Sequence, residues 1–377
     1  GEGRRLEPLT DVRPKPMLPV ANRPLLEHVV ESVVAAGIEE IVLVVGYKRE
    51  RIQSHFEDGD DWGIDIEYVV QEKQLGTGHA VLQAEDRIGG TFLVLNGDRV
   101  IEPAVVEEMI EAPADGETLM AVTRTEDPRG FGVVESDGER VSGIAEKPPR
   151  HAITSEVINA GVYRLQPEVF DAIRETETAG ELALTATLDR LAADGTVRAI
   201  RYRGTWLDVS YLWDLITVNA SLLDEGTTIA ATARTGENAV VTGGAAVDAD
   251  AWIGPSATVL SGTAVGENAR VGANAVIENT LVFPGATIGA GSVIRDCVVG
   301  ENASLGPNTT IEGGAADVAV DGSLHEGVTL GGVFGDNTSL GGSVNVRPGA
   351  RVGNGATVEG GAAVSGRVPS GAEVRRG

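Results

Sequence analysis

The chain has 377 residues, of which 42% are hydrophobic, and its 56 acidic and 30 basic side chains give a formal net charge of -26. This length can bury a sizeable core and predicts two domains. No apolar run approaches the roughly 20 residues that span a bilayer, and the first residues do not resemble a signal peptide, so we expect a cytoplasmic protein. The acidic balance argues against nucleic acid or anionic membrane as partners, because both favour basic surfaces.

Two rare residue types add to this picture. Only four of the basic residues are lysine. An acidic, lysine-poor surface suits a protein kept soluble at very high salt, where repulsion between exposed charges is screened, so we hypothesise a halophilic source. Cys297 is the only cysteine, which excludes an intrachain disulfide and a thiol-rich metal site. Its apolar neighbours predict an inert, packed thiol.

The N-terminal stretch carries candidate phosphate ligands. Gly1–Thr10 is a glycine-containing loop with clustered arginines, and the backbone N–H groups of such a loop can approach a phosphate chain closely. In Arg13–Val20, prolines on both sides of Lys15 hold the backbone extended and fix the direction of the ammonium. The alternative is an ordinary surface loop stiffened by proline.

Helical and strand patterns then alternate. Apolar residues recur at helical spacing from Pro24 to Ala36, and a second helix is expected over Lys48–Phe56. Apolar runs at Ile41–Val45 and Ile66–Val70 predict two buried strands. Strands that alternate with helices indicate a parallel sheet covered on both faces.

The stretch Gln71–Ala80 leaves the second strand and opens a helix. Glycines at a helix N-terminus let the backbone come close to a ligand, and the amide of Gln71 can both donate to and accept from a pyrimidine edge, so we predict a base-reading loop. His79 is a possible general base, but packing or capping is favoured. His28 and His55 lie on helical stretches and are expected to be structural.

Two carboxylates follow predicted strands. Phe92–Leu95 is a short buried strand, and the turn after it ends at Asp98. Because ligands of open α/β sheets bind beyond the carboxyl ends of the strands, this position suits a site residue, although Asn-Gly-Asp is also a common structural turn. Thr205–Ser210 places Asp208 after an apolar pair, before a helix expected at Tyr211–Leu223.

The intervening segment supplies further polar groups. Leu119–Thr123 repeats the buried strand pattern, and Gly130–Val134 is a loop that enters another strand. Ile144–Pro148 carries Lys147, fixed by the proline after it, and Asn159 stands at the mouth of a strand. Two carboxylates, two fixed lysines, a glycine loop with arginine and an amide-rich loop suit nucleotide phosphates and Mg²⁺.

Taken together and in this order, the motifs resemble the sugar-1-phosphate nucleotidyltransferases, which include glucose-1-phosphate thymidylyltransferases and N-acetylglucosamine-1-phosphate uridylyltransferases. The resemblance covers about residues 1–225 and implies an α/β Rossmann-like domain at residues 1–226. The family loop reads Gly-x-Gly-Thr-Arg, whereas here Arg4 replaces the threonine. Family members usually begin with an apolar strand that ends in Leu-Ala-Ala-Gly, so we expect a first strand upstream of Gly1 whose restoration would raise stability.

The resemblance also assigns roles by position. Catalytic contacts to the phosphates would come from Arg5, Lys15 and Lys147. The remaining nucleotide contacts would come from the loop residues Gly1, Gly3, Gln71, Gly76 and Thr77. The sugar phosphate would be bound by Gly132, Glu146, Lys147 and Asn159, and Mg²⁺ by Asp98 and Asp208.

After Gly226 the composition shifts to Gly, Ala, Val, Asn and Thr. Apolar residues recur every six positions, and this period predicts an all-β parallel β-helix over residues 227–377. The runs Ile253-Gly254, Val271-Gly272 and Ile288-Gly289 resemble the repeats of left-handed β-helices in hexapeptide acyltransferases. The periodic residues are Val247, Ile253, Val259, Val265, Val271, Ile277, Val282, Ile288, Ile294, Val299, Leu305, Ile311, Val328, Phe334, Leu340, Val346, Val352, Val358 and Val364.

Two roles for the β-helix stay open. It could be only a scaffold that forms a trimer or a pair of trimers, a homo-hexamer. It could also be an acetyltransferase that takes acetyl-CoA as a second substrate, as in bifunctional enzymes that resemble this domain order. The candidate base would be His325, in the segment Asp321–Gly327 that interrupts the period.

The resulting hypothesis is transfer of UMP or dTMP from UTP or dTTP to a sugar 1-phosphate, with release of pyrophosphate. No covalent enzyme nucleophile is needed, because positioning and charge stabilisation carry the reaction. A third hypothesis, a non-catalytic regulatory subunit, is disfavoured because a degenerate site has no physical need for this set of charged residues. The sequence leaves the sugar and the base open.

Overall fold

The computed structural model describes residues 3–113, 116–178, 180–223 and 226–376. The chain forms two compact units, the first built on Leu26–Leu207 and the second on Glu2–Leu25 together with Asp208–Gly377. The compact units therefore divide the chain at other places than residue 226, and the predicted domain boundaries stay a prediction. No helix in the described ranges is long and apolar enough to cross a membrane.

Seven α-helices occur in the described chain, and four of them confirm expected helices, of which the first was predicted from apolar spacing. The helix α1 buries Leu25, Leu26, Val29, Val30 and Val33, the apolar stripe that produced the prediction. The helices are α1 (Leu25–Ala35), α2 (Arg49–Phe56), α3 (Thr77–Gln83), α4 (Pro103–Glu111), α5 (Val169–Arg174), α6 (Leu184–Ala193) and α7 (Leu212–Leu223).

The first unit contains a six-stranded sheet of mixed direction. Val157–Leu165 runs antiparallel to both of its long neighbours, Phe92–Leu95 and Thr118–Arg124. Only Thr118–Arg124 and Val197–Arg201 pair in parallel. The expectation of a fully parallel sheet was therefore wrong for this sheet. In spatial order the strands are Phe92–Leu95, Val157–Leu165, Thr118–Arg124, Val197–Arg201, Arg140–Glu146 and Gly132–Asp137.

The physical reason lies in the connections. Gly132–Asp137 and Arg140–Glu146 form an antiparallel hairpin, and no helix of crossover length separates this hairpin from Val157–Leu165. A parallel pairing needs a crossover of a dozen residues or more, usually helical. The parallel arrangement is confirmed for the two strands that flank α2, Glu40–Val45 and Asp65–Val70, which pair in register.

The core of the first unit lies between the six-stranded sheet and two helices. Phe170 of α5 and Leu188 of α6 are buried against Met120 and Leu165 of the sheet. Arg99–Ile101 and Trp206–Asp208 are further short strands. Because these strands and helices fix the sheet, the loops at its edge are held in defined positions.

The second unit is dominated by three parallel sheets that together form a β-helix. Each strand pairs with the strand one coil further along the chain. The first sheet contains Thr228–Ile229, Ala245–Val247, Thr263–Val265, Leu281–Val282, Cys297–Val299, Gly332–Phe334, Ala350–Val352 and Arg367–Val368. The second contains Arg234–Thr235, Trp252–Ile253, Arg270–Val271, Thr287–Ile288, Ser304–Leu305, Ser339–Leu340, Thr357–Val358 and Glu373–Val374. The third contains Val240–Val241, Thr258–Val259, Val276–Glu278, Val293–Arg295, Thr310–Ile311, Asn345–Val346 and Ala363–Val364.

The periodic apolar residues fill the interior of the β-helix, with one exception. The periodic residues from Val247 to Ile311, and those from Phe334 to Val364, are all buried in a single core. Several turns hold asparagine at positive φ, such as Asn268 and Asn302, a conformation that asparagine tolerates better than most residues. Val328 was wrongly placed in this core. It lies only half-buried in a hairpin that leaves the coils.

This insertion hairpin consists of the antiparallel strands Ala315–Val320 and Ser323–Thr329. It corresponds to the predicted interruption of the period, but it is longer than the expected segment Asp321–Gly327. Just before it in the coils, Cys297 is fully buried and its thiol donates to the carbonyl of Arg295 at 3.0 Å. Burial raises the pKa of the Cys297 thiol, so the prediction of an inert, packed thiol is confirmed.

The N-terminal segment Glu2–Leu25 is fastened to the β-helix within the second unit. The side chain of Arg13 is buried and pairs with Asp336 and, at 3.0 Å, with Glu301. The Nδ2 atom of Asn354 donates to the carbonyl of Pro8 at 2.8 Å, and Asn22 donates to the carbonyl of Val265 at 3.1 Å. A buried arginine must be paired to offset its lost hydration, so these bonds fix the path of the segment.

A short strand pair completes this segment. Pro19–Val20 and Arg23–Pro24 pair in antiparallel fashion, with a turn at Ala21 and Asn22, both at positive φ. The backbone N–H of Ala21 donates to Asn219 of α7 at 2.8 Å. The loop residues that precede this pair are therefore held from both ends.

Candidate active site

Gln71 lies at the end of the strand Asp65–Val70, as expected for a base-reading residue. Its amide nitrogen donates to the carbonyl of Gly76 at 3.1 Å and contacts Nδ1 of His79 at 2.9 Å. Because a carbonyl can only accept, the nitrogen of the amide must face the loop. The amide oxygen is then the atom available to accept a hydrogen bond from a ligand.

Gly76 is required by the geometry of this loop. Its φ is +112 and its ψ is 172, a region open essentially only to glycine. A Cβ atom at this position would lie 2.4 Å from the carbonyl oxygen of Leu182. Gly78 donates to the same carbonyl at 2.8 Å. The loop is thus pressed against a neighbouring segment, with no room for a side chain.

Thr77 and His79 have structural contacts in this loop. The hydroxyl of Thr77 accepts from the backbone N–H of Leu184 at 2.9 Å and so caps the first turn of α6. The imidazole of His79 is bound by Gln71, in line with the structural role favoured for it. The structural role expected for His55 is also confirmed, since it bonds Glu27 at 2.7 Å and packs against Phe56.

Asp98 follows the strand Phe92–Leu95 in a turn and is half-buried. The turn is fixed at its first residue, because Asn96 donates to the carbonyl of Gly161 at 3.0 Å. A Cβ atom on Gly161 would lie 2.6 Å from the Asn96 amide, so this close approach requires glycine. Asp98 is therefore held at the carboxyl end of a strand in the first unit.

Three of the four residues predicted to bind the sugar phosphate come together in the first unit. Gly132 and Glu146 are opposite each other in the hairpin. A Cβ on Gly132 would lie 3.1 Å from Oε2 of Glu146 and 3.6 Å from Cβ of Asn159. The same Glu146 oxygen accepts from the hydroxyl of Thr185 at 3.2 Å. A side chain at position 132 would crowd the carboxylate, so this close approach favours glycine.

Asn159 is anchored by its own strand. Its Oδ1 accepts from the backbone N–H of Gly161 at 2.9 Å, and its Nδ2 donates to the hydroxyl of Tyr163 at 2.5 Å. Burial raises the pKa of Tyr163 to about 12, which keeps this phenol neutral. The pairing of this strand with Thr118–Arg124 shifts register between Asn159 and Tyr163, as in a β-bulge.

Lys147, the fourth of these residues, is next to Glu146 and has an unusual backbone. Its φ is 44, a left-handed conformation that is rare for residues other than glycine. Its N–H donates to the carbonyl of Phe131 at 3.0 Å, which holds the strained turn. The ammonium lies 3.6 Å from Oε1 of Glu146 and is about half exposed. Strain of this kind is concentrated at functional sites.

A group that the sequence analysis did not single out lies beside these residues. The guanidinium of Arg99 is 4.8 Å from the ring centre of Trp206 and 5.6 Å from that of Phe131. Trp206 is fixed by donation from Nε1 to the carbonyl of Ala160 at 2.8 Å. Arg99 follows Asp98 directly, so its position after the strand was the available signal. Its aromatic partners are remote in sequence and could not be assigned.

The predicted triphosphate ligands lie in the second unit. Gly3 has a φ of +69, and a Cβ on it would lie 3.0 Å from Thr10 and 3.4 Å from Cβ of Lys15. The hydroxyl of Thr10 donates to the carbonyl of Gly3 at 2.9 Å. The loop is therefore curled, with Lys15 brought back against its start. Gly1 lies outside the described residues.

Asp208 and Asp214 accompany this loop in the second unit. The hydroxyl of Ser210 donates to Oδ2 of Asp208 at 2.5 Å. Asp214 accepts from the backbone N–H groups of Ser210 and Tyr211 at 2.8 and 2.7 Å, which caps α7. Burial raises the pKa of Asp214 to about 6, and nearby Asp208 adds to this, whereas the backbone hydrogen bonds and Lys15 oppose it. Asp214 was not identified from the sequence, because nothing in its motif distinguishes it from a capping residue.

His325, the candidate acetyl-transfer base, lies on the second strand of the insertion hairpin. Its ring centre is 4.5 Å from that of Tyr211 and 5.1 Å from that of Trp213. The imidazole is therefore packed among aromatic rings. Its role in catalysis stays a prediction.

The donor set of the candidate metal ligands fits Mg²⁺, which prefers carboxylate and phosphate oxygens. Asp98 belongs to the first unit and Asp208 to the second. Over the described ranges, no group of three or more His, Cys, Asp or Glu side chains could hold a metal by itself. A Mg²⁺ ion would then need oxygens from its substrates, as is usual for this ion at phosphate sites.

Comparison with known protein families decides the classification. Residues 1–225 match the family model described as nucleotidyl transferase. The chain belongs to the nucleotidyl transferase family. Residues 237–358 match a second model, described as GMPPB C-terminal domain.

Individual relatives agree with this membership. The chain is similar to the bifunctional protein GlmU of Methanococcus maripaludis, with 39% identity over 60% of the chain and 53% of that protein. It is also similar to the low-salt glycan biosynthesis nucleotidyltransferase Agl11 of Haloferax volcanii, with 36% identity over 60% of the chain and 64% of that protein. The chain thus spans about half the length of GlmU.

A solved structure shares the fold. A crystal structure of UDP-glucose pyrophosphorylase with UDP-glucose matches with a TM-score of 0.54 and 25% identity. The match covers 59% of the present chain and 95% of the solved chain. A Rossmann-like nucleotidyltransferase fold is thereby supported for the part of the chain that aligns.

Proposed function

We propose that the protein is a sugar-1-phosphate nucleotidyltransferase that uses UTP or dTTP and releases pyrophosphate. The observation that carries this proposal is the match of residues 1–225 to the nucleotidyl transferase family, together with charged residues at the positions predicted to contact phosphate and metal. An oxygen of the sugar phosphate attacks the α-phosphorus, the bond to the bridging oxygen breaks, and pyrophosphate leaves. The protein contributes positioning and charge stabilisation.

At the triphosphate end, Arg5 and Lys15 neutralise the phosphates. The glycine at position 3 allows the loop to curl so that Lys15 lies against it. The positive charge on these side chains offsets the charge that develops on pyrophosphate as it leaves. Asp98 and Asp208 are the proposed Mg²⁺ ligands, and the ion, when bound, would neutralise phosphate oxygens and orient them.

At the sugar end, Lys147 binds the phosphate of the sugar phosphate. Its left-handed backbone and its bond to Phe131 aim the side chain, and Glu146 beside it accepts hydrogen bonds from sugar hydroxyls. Asn159 is held by its bonds to Gly161 and Tyr163, and Gly132 lies close to both Asn159 and Glu146. A sugar phosphate bound beside these residues would meet a carboxylate acceptor and an ammonium donor.

The base is read by Gln71. Because the amide nitrogen faces the loop, the amide oxygen accepts from the base. Uracil and thymine both present an N3–H donor to such an acceptor, whereas cytosine presents an acceptor at N3 and would be rejected. This contact does not distinguish UTP from dTTP.

We further propose that the β-helix is left-handed and that it assembles the protein into a trimer or a pair of trimers. The six-residue spacing of its buried residues and its three parallel sheets support this arrangement. We do not extend the proposal to acetyl transfer, because the imidazole of His325 is packed against Tyr211 and Trp213. The experimental test of the assembly is the mass in solution by analytical ultracentrifugation.

The proposed activity is tested by pyrophosphate release with Mg²⁺ in molar KCl. The grid pairs UTP and dTTP with glucose 1-phosphate, N-acetylglucosamine 1-phosphate and glucosamine 1-phosphate. We expect turnover with at least one pair. The variant Lys147→Met should lower kcat/KM for the sugar phosphate by about two orders of magnitude, because an aligned cation at the reacting phosphate is lost.

The matched control is Arg51→Met, which removes a positive charge from an exposed position on α2. It should leave kcat/KM within about twofold of the wild-type value, since an exposed charge interacts only weakly with other groups. If the folded protein released no pyrophosphate with any of these substrate pairs, the result would contradict the proposal and favour a regulatory subunit.

A further inference from the structure

The insertion hairpin ends in a turn that holds Asp321 rigidly. Val320 pairs with Ser323, so the loop between the strands contains only Asp321 and Gly322. Both residues have positive φ, 49 and 75 respectively. Such a two-residue turn, with Asp-Gly at its centre, is strongly favoured in hairpins. The carboxylate at the tip is therefore presented from a defined backbone.

The hairpin is also anchored through its second strand. His325 packs on Tyr211 and Trp213, whose rings stack at 4.7 Å with an angle of 10°. Tyr211 is itself fixed by the bond from its N–H to Asp214. Aromatic contacts of this kind add stability beyond the area they bury. The hairpin is thus tied to the start of α7, within the same unit.

Arg5 is held from two sides by this arrangement. Its Nε donates to Oδ2 of Asp321 at 3.0 Å, and its guanidinium carbon lies 5.5 Å from the ring centre of Tyr211. The side chains of Arg5 and Asp321 are 40% and 55% exposed. A guanidinium is planar, with five donors in a fixed geometry. A carboxylate on Nε and a ring beside the plane together determine where the two terminal nitrogens point.

We propose that Asp321 is a positioning residue that presents the terminal nitrogens of Arg5 to the triphosphate, so that an insertion of the β-helix completes the phosphate-binding loop. This inference rests on the proposed function of Arg5. A free arginine side chain loses substantial rotamer freedom when it is fixed on a ligand. Asp321 and Tyr211 fix the side chain of Arg5 before the nucleotide binds. The entropy cost of ordering this side chain is then not part of the binding free energy.

The test uses Asp321→Asn in the full-length protein. Asn-Gly is as favourable as Asp-Gly in this turn, so the hairpin should keep its conformation. We expect KM for the nucleoside triphosphate to rise by about three- to tenfold, because a charge-assisted bond to Arg5 is weakened. KM for the sugar phosphate should stay unchanged. The matched control, Glu326→Gln, removes an exposed charge from the same hairpin and should change neither constant.

A double-mutant cycle shows whether Asp321 acts through Arg5. In an Arg5→Ala background, Asp321→Asn should change KM for the triphosphate by less than about twofold. An equal effect in both backgrounds would overturn the proposal, because Asp321 would then act through general stability. A fall in KM would also overturn it, since the carboxylate would then be a competitor of the triphosphate for Arg5.

Failure of the proposed function is distinguished by a binding measurement. Calorimetric titration with inorganic tripolyphosphate reports phosphate binding without turnover. Weaker binding by Asp321→Asn, with unchanged binding by Glu326→Gln, would support the positioning role even if no sugar phosphate is turned over. Equal binding by the wild type and Asp321→Asn would refute it.

Discussion

Asp214 caps α7 with a carboxylate whose pKa is raised to about 6, mainly by burial. The unfolded value is near 3.8, so between these two pH values the folded state binds more protons than the unfolded state. Stability contributed by this group therefore falls as pH rises from about 4 to 6, and the penalty is complete above pH 6.

The variant Asp214→Asn should remove this pH dependence. Its amide oxygen can accept the same two backbone hydrogen bonds without a charge. Relative to the wild type, we expect its free energy of unfolding to be higher by roughly 2 kcal/mol at pH 7.5 and equal below pH 4. Urea denaturation across this range measures the difference. A constant difference at all pH values, or the same profile for the exposed control Asp61→Asn, would contradict the assignment.

Individual residues differ in how well the sequence could locate them. Asp98 was identifiable because it follows a strand pattern, and Lys147 because a proline directly follows it. Asp321, in contrast, is 316 residues from Arg5, and no local pattern connects them. Arg13 resembled part of a proline-rich loop, although it is buried and paired with Asp336. Contacts between distant residues depend on the packing of whole elements, which short motifs do not encode.

At the scale of elements, the loop before α3 offers a test of close packing. We expect Gly76→Ala to destabilise the protein by roughly 3 kcal/mol, because the new Cβ would meet Leu182 and the backbone would be strained. The displaced loop should also raise KM for the nucleotide, since Gln71 is bonded to Gly76. Thermal and urea denaturation measure the first effect, and steady-state kinetics the second.

The matched control is Gly63→Ala. Gly63 also has a positive φ, +69, but a Cβ there meets nothing within 4 Å. It should therefore show only the cost of the left-handed backbone, roughly 1 kcal/mol, with no change in KM. Similar losses for both variants would mean that the contact with Leu182 is unimportant.

Elements were predictable where local spacing determines them. The apolar stripe of α1 and the six-residue period of the β-helix core both appear directly in the sequence. The direction of a strand could not be read from the sequence in the same way. Val157–Leu165 is antiparallel because of how it is connected to its neighbours, and its composition does not show this. Val328 fits the six-residue spacing of the core residues, yet it lies in the insertion hairpin. The spacing alone cannot distinguish a residue of a β-helix coil from a hairpin residue that falls on the same period by chance.

At the scale of the whole molecule, the net charge of -26 predicts a strong response to salt. Repulsion among unscreened acidic groups destabilises the folded state at low ionic strength. We expect the melting temperature to rise by roughly 10 °C or more between salt-free buffer and molar KCl. Differential scanning calorimetry in KCl and in NaCl measures this. Full stability and activity without salt would contradict the halophilic hypothesis.

The bonds between the N-terminal segment and the β-helix also determine when the protein can become competent during its synthesis. Glu7 pairs with Arg367, 360 positions later, and Asn354 bonds the carbonyl of Pro8. The ribosome makes these partners long after the N-terminal segment, so this segment reaches its final contacts late in synthesis. Pairings so distant along the chain close slowly. A nascent chain that does not yet contain Asn354 and Arg367 would therefore hold the N-terminal segment without these two anchors.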